Sequence, residues 1–158
     1  MISNSLSSLL DNKNQFKAKR ILIVDDEPYN IMGLRVLLVQ AANLHHLDSY
    51  IDQANNGVEA VQKVKSAYKN GNFSYGLVFM DCSMPIMDGF EATDNIRNYC
   101  SQRNVPQPMI VACTGHTEDE FVKKAWKHQM DEFLMKPTSL EVLDSILSEM
   151  LQIQKVKL

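Results

Sequence analysis

Five short, largely apolar runs, each closed by acidic or turn-forming residues and followed by helical spacing, constrain this chain most. They are Ile21-Leu22-Ile23-Val24, Tyr50-Ile51-Asp52-Gln53-Ala54, Leu77-Val78-Phe79-Met80, Met109-Ile110-Val111-Ala112-Cys113 and Glu132-Phe133-Leu134-Met135. Apolar runs this short, bounded by turn formers, read as strands buried in a parallel sheet. Between them, apolar residues recur every three to four positions. Ile31, Leu34, Leu38 and Ala41 mark a helix over about 28–41, with Pro28 in its first turn. Val58, Val61, Val64 and Tyr68 mark a second, stopped by Asn70-Gly71-Asn72. Phe90 to about Tyr99 is a third, with Phe90, Ile96 and Tyr99 as core contacts. A fourth runs from an N-cap at Thr117 to about His128, with Phe121, Val122, Ala125 and Trp126 as its apolar residues. The last is capped by Thr138 or Ser139 and carries Leu140, Leu143, Ile146, Leu147, Met150 and Leu151. Asn43 to Ser49 reads as a polar loop.

Strands joined by helices through short loops must pair in parallel, with right-handed crossovers. Five such units predict a three-layer α/β sandwich of the flavodoxin-like (βα)5 kind, its sheet ordered 2-1-3-4-5. The 158 residues suffice for one such domain, over about 20–152. Residues 1–19, polar apart from Leu6, Leu9 and Leu10, read as a tail or linker, and 153–158 as the C-terminal end. A net charge of −3 gives no basis for a nucleic-acid or membrane surface. There is neither a secretory signal nor an apolar run of about 20 residues, the length of a membrane span. Cys82, Cys100 and Cys113 lack metal-site spacing, which favours reduced thiols and a cytoplasmic setting. Cys82 and Cys113 read as small, half-buried packing residues.

In such a sheet the C-terminal strand ends share one edge, where open α/β sheets bind ligands. Asp81 ends the third strand, and alone it could be a helix cap, a metal ligand or a nucleophile. The first strand delivers Asp25 and Asp26, the fourth Thr114 and the fifth Lys136. The order 2-1-3-4-5 puts strands one and three side by side, so the three aspartates converge. At about 5 Å and an effective dielectric near 20, each carboxylate pair repels by roughly 3 kcal/mol. A cation relieves that repulsion, and an all-oxygen donor set predicts Mg2+ or Mn2+ rather than zinc. Three carboxylates, one divalent ion and the Lys136 ammonium then sum to zero charge. Such a site suits phosphoryl transfer, with Asp81 attacking phosphorus while Lys136 and Thr114 meet the phosphoryl oxygens.

The blocks Asp25-Asp26, Asp81-Cys82-Ser83-Met84-Pro85-Ile86-Met87-Asp88-Gly89, Val111-Ala112-Cys113-Thr114-Gly115 and Lys136-Pro137 together resemble the receiver domain of two-component response regulators. The resemblance covers about residues 20–152. It implies that Asp81 accepts a phosphoryl group from a phosphohistidine, on a histidine kinase or a histidine phosphotransfer protein. It also implies that Asp25, Asp26, Asp81 and the Ser83 carbonyl hold Mg2+, and that Thr114 and Lys136 receive phosphoryl oxygens. Phe133 takes the aromatic switch position, and a cis peptide precedes Pro137. The chain is then a signalling switch rather than an enzyme, one that assists its own phosphorylation and dephosphorylation. The partners of its fourth-helix, fifth-strand and fifth-helix face would be an attached kinase or a downstream effector. Asn30 and the Met80 to Pro85 segment are most similar to receivers attached to hybrid histidine kinases. Gly115 and Gln129 depart from the family pattern, which has alanine and glycine there.

A phosphatase of the haloacid dehalogenase type also uses a strand-end aspartate, but it requires a second aspartate two residues later, where this chain has Ser83. A degenerate receiver that binds partners without phosphate is the other alternative. Asp88 reads as a loop or cap residue, and His45, His46, His116 and His128 as surface histidines. His116, two residues after Thr114, is the one placed to influence phosphoryl lifetime. Trp126 reads as a helix-packing residue.

Overall fold

A computed structural model describes residues 18–43, 46–71, 73–116 and 119–156. Strands β1 (Ala18–Val24), β2 (Ile51–Ala54), β3 (Phe73–Asp81), β4 (Met109–Thr114) and β5 (Glu132–Met135) form one sheet of order β2-β1-β3-β4-β5. Every pair is parallel. Helices α1 (Pro28–Ala42), α2 (Gly57–Asn70), α3 (Gly89–Arg103), α4 (Asp119–Lys127) and α5 (Leu140–Val156) complete the five βα units. The expected three-layer architecture and strand order are both present.

Alternation along the strands builds a core on each face. Ile21, Ile23, Leu77, Phe79 and Val111 pack on one side with Ile31 and Leu38 of α1 and Leu143, Ile146 and Leu147 of α5. Leu22, Val24, Val78, Met80 and Ile110 pack on the other with α2, α3 and Ala125 of α4. A right-handed crossover puts its helix on a face set by its direction across the sheet. The chain moves one way from β1 to β2 and the other way thereafter, which separates α1 from α2, α3 and α4.

Several boundaries differ from the sequence reading. β1 starts at Ala18 because Ala18, Lys19 and Arg20 pair with Phe73, Ser74 and Tyr75. The register shifts between Arg20 and Ile21, leaving Gly76 as the extra residue of a bulge. Arg20 donates from Nε and Nη2 to Asp52, both at 2.7 Å, which fixes this polar start of the strand. Leu47–Tyr50 is a 3-10 turn, where Leu47 to Ser49 were expected as loop and Tyr50 as strand, because Leu47 is fully buried in the α1 core. Leu140 is largely exposed and lies outside the core of α5. Trp126 is 49% exposed, so it is not the packing residue that its helical spacing suggested. Cys82 and Cys113 are fully buried rather than half-buried, Cys100 is buried too, and all three are free. Burial pushes the Cys82 thiol up to about 12, which makes it inert. Of the expected tail 1–19, Ala18 and Lys19 belong to β1 instead, while residues 1–17, the Thr117 cap and His45 lie outside the described residues.

Gln129, where glycine was expected from the resemblance, has φ 59°. A side chain in this left-handed region costs on the order of 1 kcal/mol. Its carbonyl accepts bonds from Nε and Nη2 of Arg97 at 3.0 and 2.8 Å, which holds the strained turn against α3.

Candidate functional site

β1 and β3 lie side by side and end together, Val24 opposite Met80. Asp25 and Asp81 therefore emerge as neighbours, both buried, with Asp26 half-buried beside them. One carboxylate oxygen from each lies within 4.8 Å of the others. Lys136, delivered by β5, donates from Nζ to Asp81 Oδ1 at 3.0 Å and to Asp25 Oδ2. Burial pushes the Asp81 carboxyl above its usual range; the Lys136 contact opposes this, and Asp25 and Asp26 add to it. Burial lowers the Lys136 ammonium, but the bonds to Asp25 and Asp81 outweigh it and the net shift is upward. The cluster thus holds more negative charge than its lysine neutralises. Its donors are hard oxygens, which fits a magnesium-type cation.

β4 brings Thr114 to the same edge, since Cys113 pairs with Asp81 and the Thr114 carbonyl accepts from the Lys136 amide at 2.8 Å. Thr114 is buried, and its Oγ1 accepts from the His116 amide at 3.0 Å. Phe133 on β5 is half-buried against the α2–α4 core, opposite Ala112. Ser83 is exposed in the loop after β3. The Lys136–Pro137 peptide is cis. Asp88 caps α3, its Oδ1 accepting from the Glu91 amide at 2.8 Å. His116 stacks on Phe121 with ring centroids 4.6 Å apart, and His128 Nδ1 lies 2.8 Å from Asp94.

Two supporting residues carry more of the geometry than the sequence reading assigned them. Asn30, in the first turn of α1, donates from Nδ2 to Asp25 Oδ1 at 3.1 Å; the Glu27 amide donates to the same oxygen at 2.9 Å. Its signal was its place one helical turn after Asp26. Gly89, at the start of α3, donates its amide to the Cys82 carbonyl at 3.3 Å. A Cβ there would lie 2.1 Å from the Asp81 carbonyl oxygen, so only glycine lets the loop fold back on the end of β3. The loop also carries Ile86 at φ 74° with 82% exposure, an uncommon conformation for a β-branched residue.

A parallel sheet of this order, with an acidic triad and a lysine at its carboxyl edge, makes this a doubly wound α/β protein with a hard-oxygen site at the edge where such sheets bind ligands. The chain belongs to the response regulator receiver domain family, whose pattern it matches over residues 21–148. It is 34% identical over 131 residues to hybrid signal transduction histidine kinase A of Dictyostelium discoideum, covering 83% of this chain but 6% of that protein. It is 35% identical over 130 residues to the chemotaxis protein CheY of Halobacterium salinarum, covering 82% of this chain and 94% of that protein. The chain therefore spans a small part of the kinase it resembles and nearly all the length of that chemotaxis protein. Among solved structures it is similar to the receiver domain of the Pseudomonas aeruginosa sensor histidine kinase PA1611, which has a magnesium ion coordinated in its active site cleft. That similarity has a TM-score of 0.65 and 26% identity, with 85% of this chain and 98% of that one covered. It also resembles the receiver domain of the response regulator Ssk1, solved with the Saccharomyces cerevisiae histidine phosphotransfer protein Ypd1. Here the TM-score is 0.68 and the identity 25%, with 89% of this chain and 94% of that one covered. No helix among the described residues is long and apolar enough to cross a membrane.

Proposed function

We propose that Asp81 accepts a phosphoryl group from a phosphohistidine donor and that the protein is a phosphorelay switch. The observation that carries this reading is the Asp25–Asp26–Asp81 triad at one strand edge, its two buried members, Asp25 and Asp81, both bonded by Lys136. Asp25, Asp26, Asp81 and the Ser83 carbonyl would hold Mg2+, with Mn2+ an acceptable substitute for the same oxygen set. When bound, the ion supplies positive charge against the phosphoryl oxygens.

The chain's own groups do the rest. An Asp81 carboxylate oxygen forms a new O–P bond as the P–N bond to the donor imidazole breaks, and the electron pair stays on that nitrogen. The Lys136 ammonium, already 3.0 Å from Asp81, meets one phosphoryl oxygen. The Thr114 hydroxyl leaves the His116 amide for another. Phe133 then turns into the space Thr114 vacates, altering the face made by α4, β5 and α5. The same machinery assists later hydrolysis, with water as the nucleophile. Residues 20–152 act as the receiver unit, to which β1 adds Ala18 and Lys19, in a cytoplasmic setting. The donor is a histidine kinase or a histidine phosphotransfer protein, consistent with the Ypd1 complex of the similar Ssk1 receiver. An attached kinase or a downstream effector reads the switched face.

Incubation with a phosphorylated histidine phosphotransfer protein and Mg2+ tests the acceptor. Wild type should gain an acid-stable, base-labile phosphate and Asp81→Asn should not; equal labelling of the two would move the acceptor elsewhere. NMR with beryllofluoride and Mg2+ tests the switch, which fails if resonances of Thr114 and Phe133 do not move.

A further inference from the structure

The two carboxylate oxygens of Asp25 are held by different parts of the fold. Oδ1 accepts from the Glu27 amide at 2.9 Å and from Nδ2 of Asn30 at 3.1 Å, both at the start of α1. Oδ2 accepts from Lys136, which also donates to Asp81 Oδ1 at 3.0 Å. Oδ2 is therefore the oxygen on the Asp81 side. The last torsion of an aspartate is soft and roughly two-fold, so a carboxylate keeps one orientation only where its neighbours impose it. One donor on Oδ1 would let the carboxylate plane swing about that contact. The Asn30 amide is a second donor on the same oxygen and stops the swing.

Charge explains why this second donor is an asparagine. Three carboxylates against one ammonium leave the ionised cluster two negative charges, which a divalent cation offsets. A lysine or arginine at position 30 could donate the same bond but would cancel part of that charge, and an ionised aspartate or glutamate can only accept. An amide donates and leaves the balance untouched. Helix formation does not account for the residue. Asparagine is among the weaker helix formers, and the backbone amide of Asn30 already bonds the Glu27 carbonyl at 3.0 Å.

We propose that Asn30 is a positioning residue for the cation. By holding Asp25 Oδ1 it keeps Oδ2 turned to the cluster and raises Mg2+ affinity, without touching the transferred phosphoryl group. Hydrogen-bond partners of metal-ligating residues are worth on the order of 10–100-fold in affinity. Asn30 is exposed, which puts its share at the lower end, about tenfold. The inference rests on the reading of the triad as a Mg2+ site and is independent of Asp81 as the acceptor.

The test is a 15N NMR titration of the whole chain with Mg2+, following the amides of Asp25, Asp26 and Asp81 in wild type, Asn30→Ala and Tyr29→Ala. Alanine favours the helix, so Asn30→Ala folds. Tyr29 lies in the same turn and is 80% exposed, so its replacement reports any general loosening of the start of α1. Asn30→Ala should bind Mg2+ about tenfold more weakly, and Tyr29→Ala like wild type. Unchanged or tighter binding by Asn30→Ala, or an equal loss in Tyr29→Ala, would overturn the role. Uptake from phosphoramidate, which carries the same P–N bond as phosphohistidine, separates positioning from chemistry. In Asn30→Ala the half-saturating Mg2+ concentration should rise about tenfold while the rate at saturating Mg2+ stays nearly unchanged. A lower saturated rate with unchanged half-saturation would put Asn30 in the chemistry and overturn the proposal. A wild type that binds no Mg2+ would refute the metal site, and the positioning with it. A wild type whose Mg2+ binding depends on Asn30 but that takes up no phosphate would refute the acceptor reading alone.

Discussion

Asp81→Asn should stabilise this protein in the absence of divalent ions, although it weakens an ion pair. Asp81 faces two carboxylates with oxygens within 4.8 Å and one ammonium at 3.0 Å. With an effective dielectric of about 20, each repulsion is roughly 3.5 kcal/mol and the attraction about 5.5 kcal/mol. Two repulsions exceed one attraction by on the order of 1 kcal/mol, and burial of the carboxylate adds to the imbalance. The upward displacement of the Asp81 carboxyl by burial, against Lys136, has the same sign. Asparagine keeps the shape and an acceptor for Lys136 while removing the charge. A gain of about 1 kcal/mol corresponds to a rise in Tm of roughly 3–5 °C for a domain of this size. The assay is thermal unfolding by circular dichroism in EDTA at pH 7, repeated with Mg2+. The variant should melt higher in EDTA, and Mg2+ should narrow the gap by stabilising wild type more. A variant that melts lower than wild type in EDTA would show that the Lys136 contact outweighs the repulsions and would refute the reasoning.

Three further perturbations probe other parts of the structure. Asp52→Asn removes the partner of Arg20 and Tyr75; because the pair is part-exposed, the loss should be about 1 kcal/mol in urea unfolding at pH 7. Burial raises the Asp52 carboxyl, but the bonds from Arg20 and Tyr75 outweigh it and the net shift is downward. The stabilisation is therefore present above the ordinary carboxylate range near pH 4 and lost as pH falls through the lowered value, so wild type and variant should converge in acid. Gly89→Ala drives a Cβ to 2.1 Å from the Asp81 carbonyl oxygen and should cost roughly 2–3 kcal/mol, read as a fall in the urea midpoint. Gln129→Gly should stabilise by roughly 0.5 kcal/mol in the same assay, since relief at φ 59° is partly offset by added freedom in the unfolded chain.

The strand order was legible because five buried runs alternate with five amphipathic stretches, and short connections leave few topologies. The acidic cluster was legible for the same reason: once β1 and β3 are neighbours, whatever follows Val24 and Met80 must meet. Periodicity misled where packing overrides it. Trp126 sits at a helical spacing yet faces solvent, and Leu47 sits in a polar stretch yet is fully buried. The polar Lys19 and Arg20 gave no strand signal, and they are strand because Ser74, Asp52 and Tyr75 receive them.

By itself, the sequence determined the sheet, its order and the chemical groups at its edge, since each depends on local patterns or on connectivity. Only the tertiary structure decided how closely those groups approach. Asp25 and Lys136 touch across 111 positions of chain, and Gly89 lies against Asp81 with no room for a methyl group. Distances between residues remote in sequence are set by the packing of whole layers, and no window of neighbouring residues contains them.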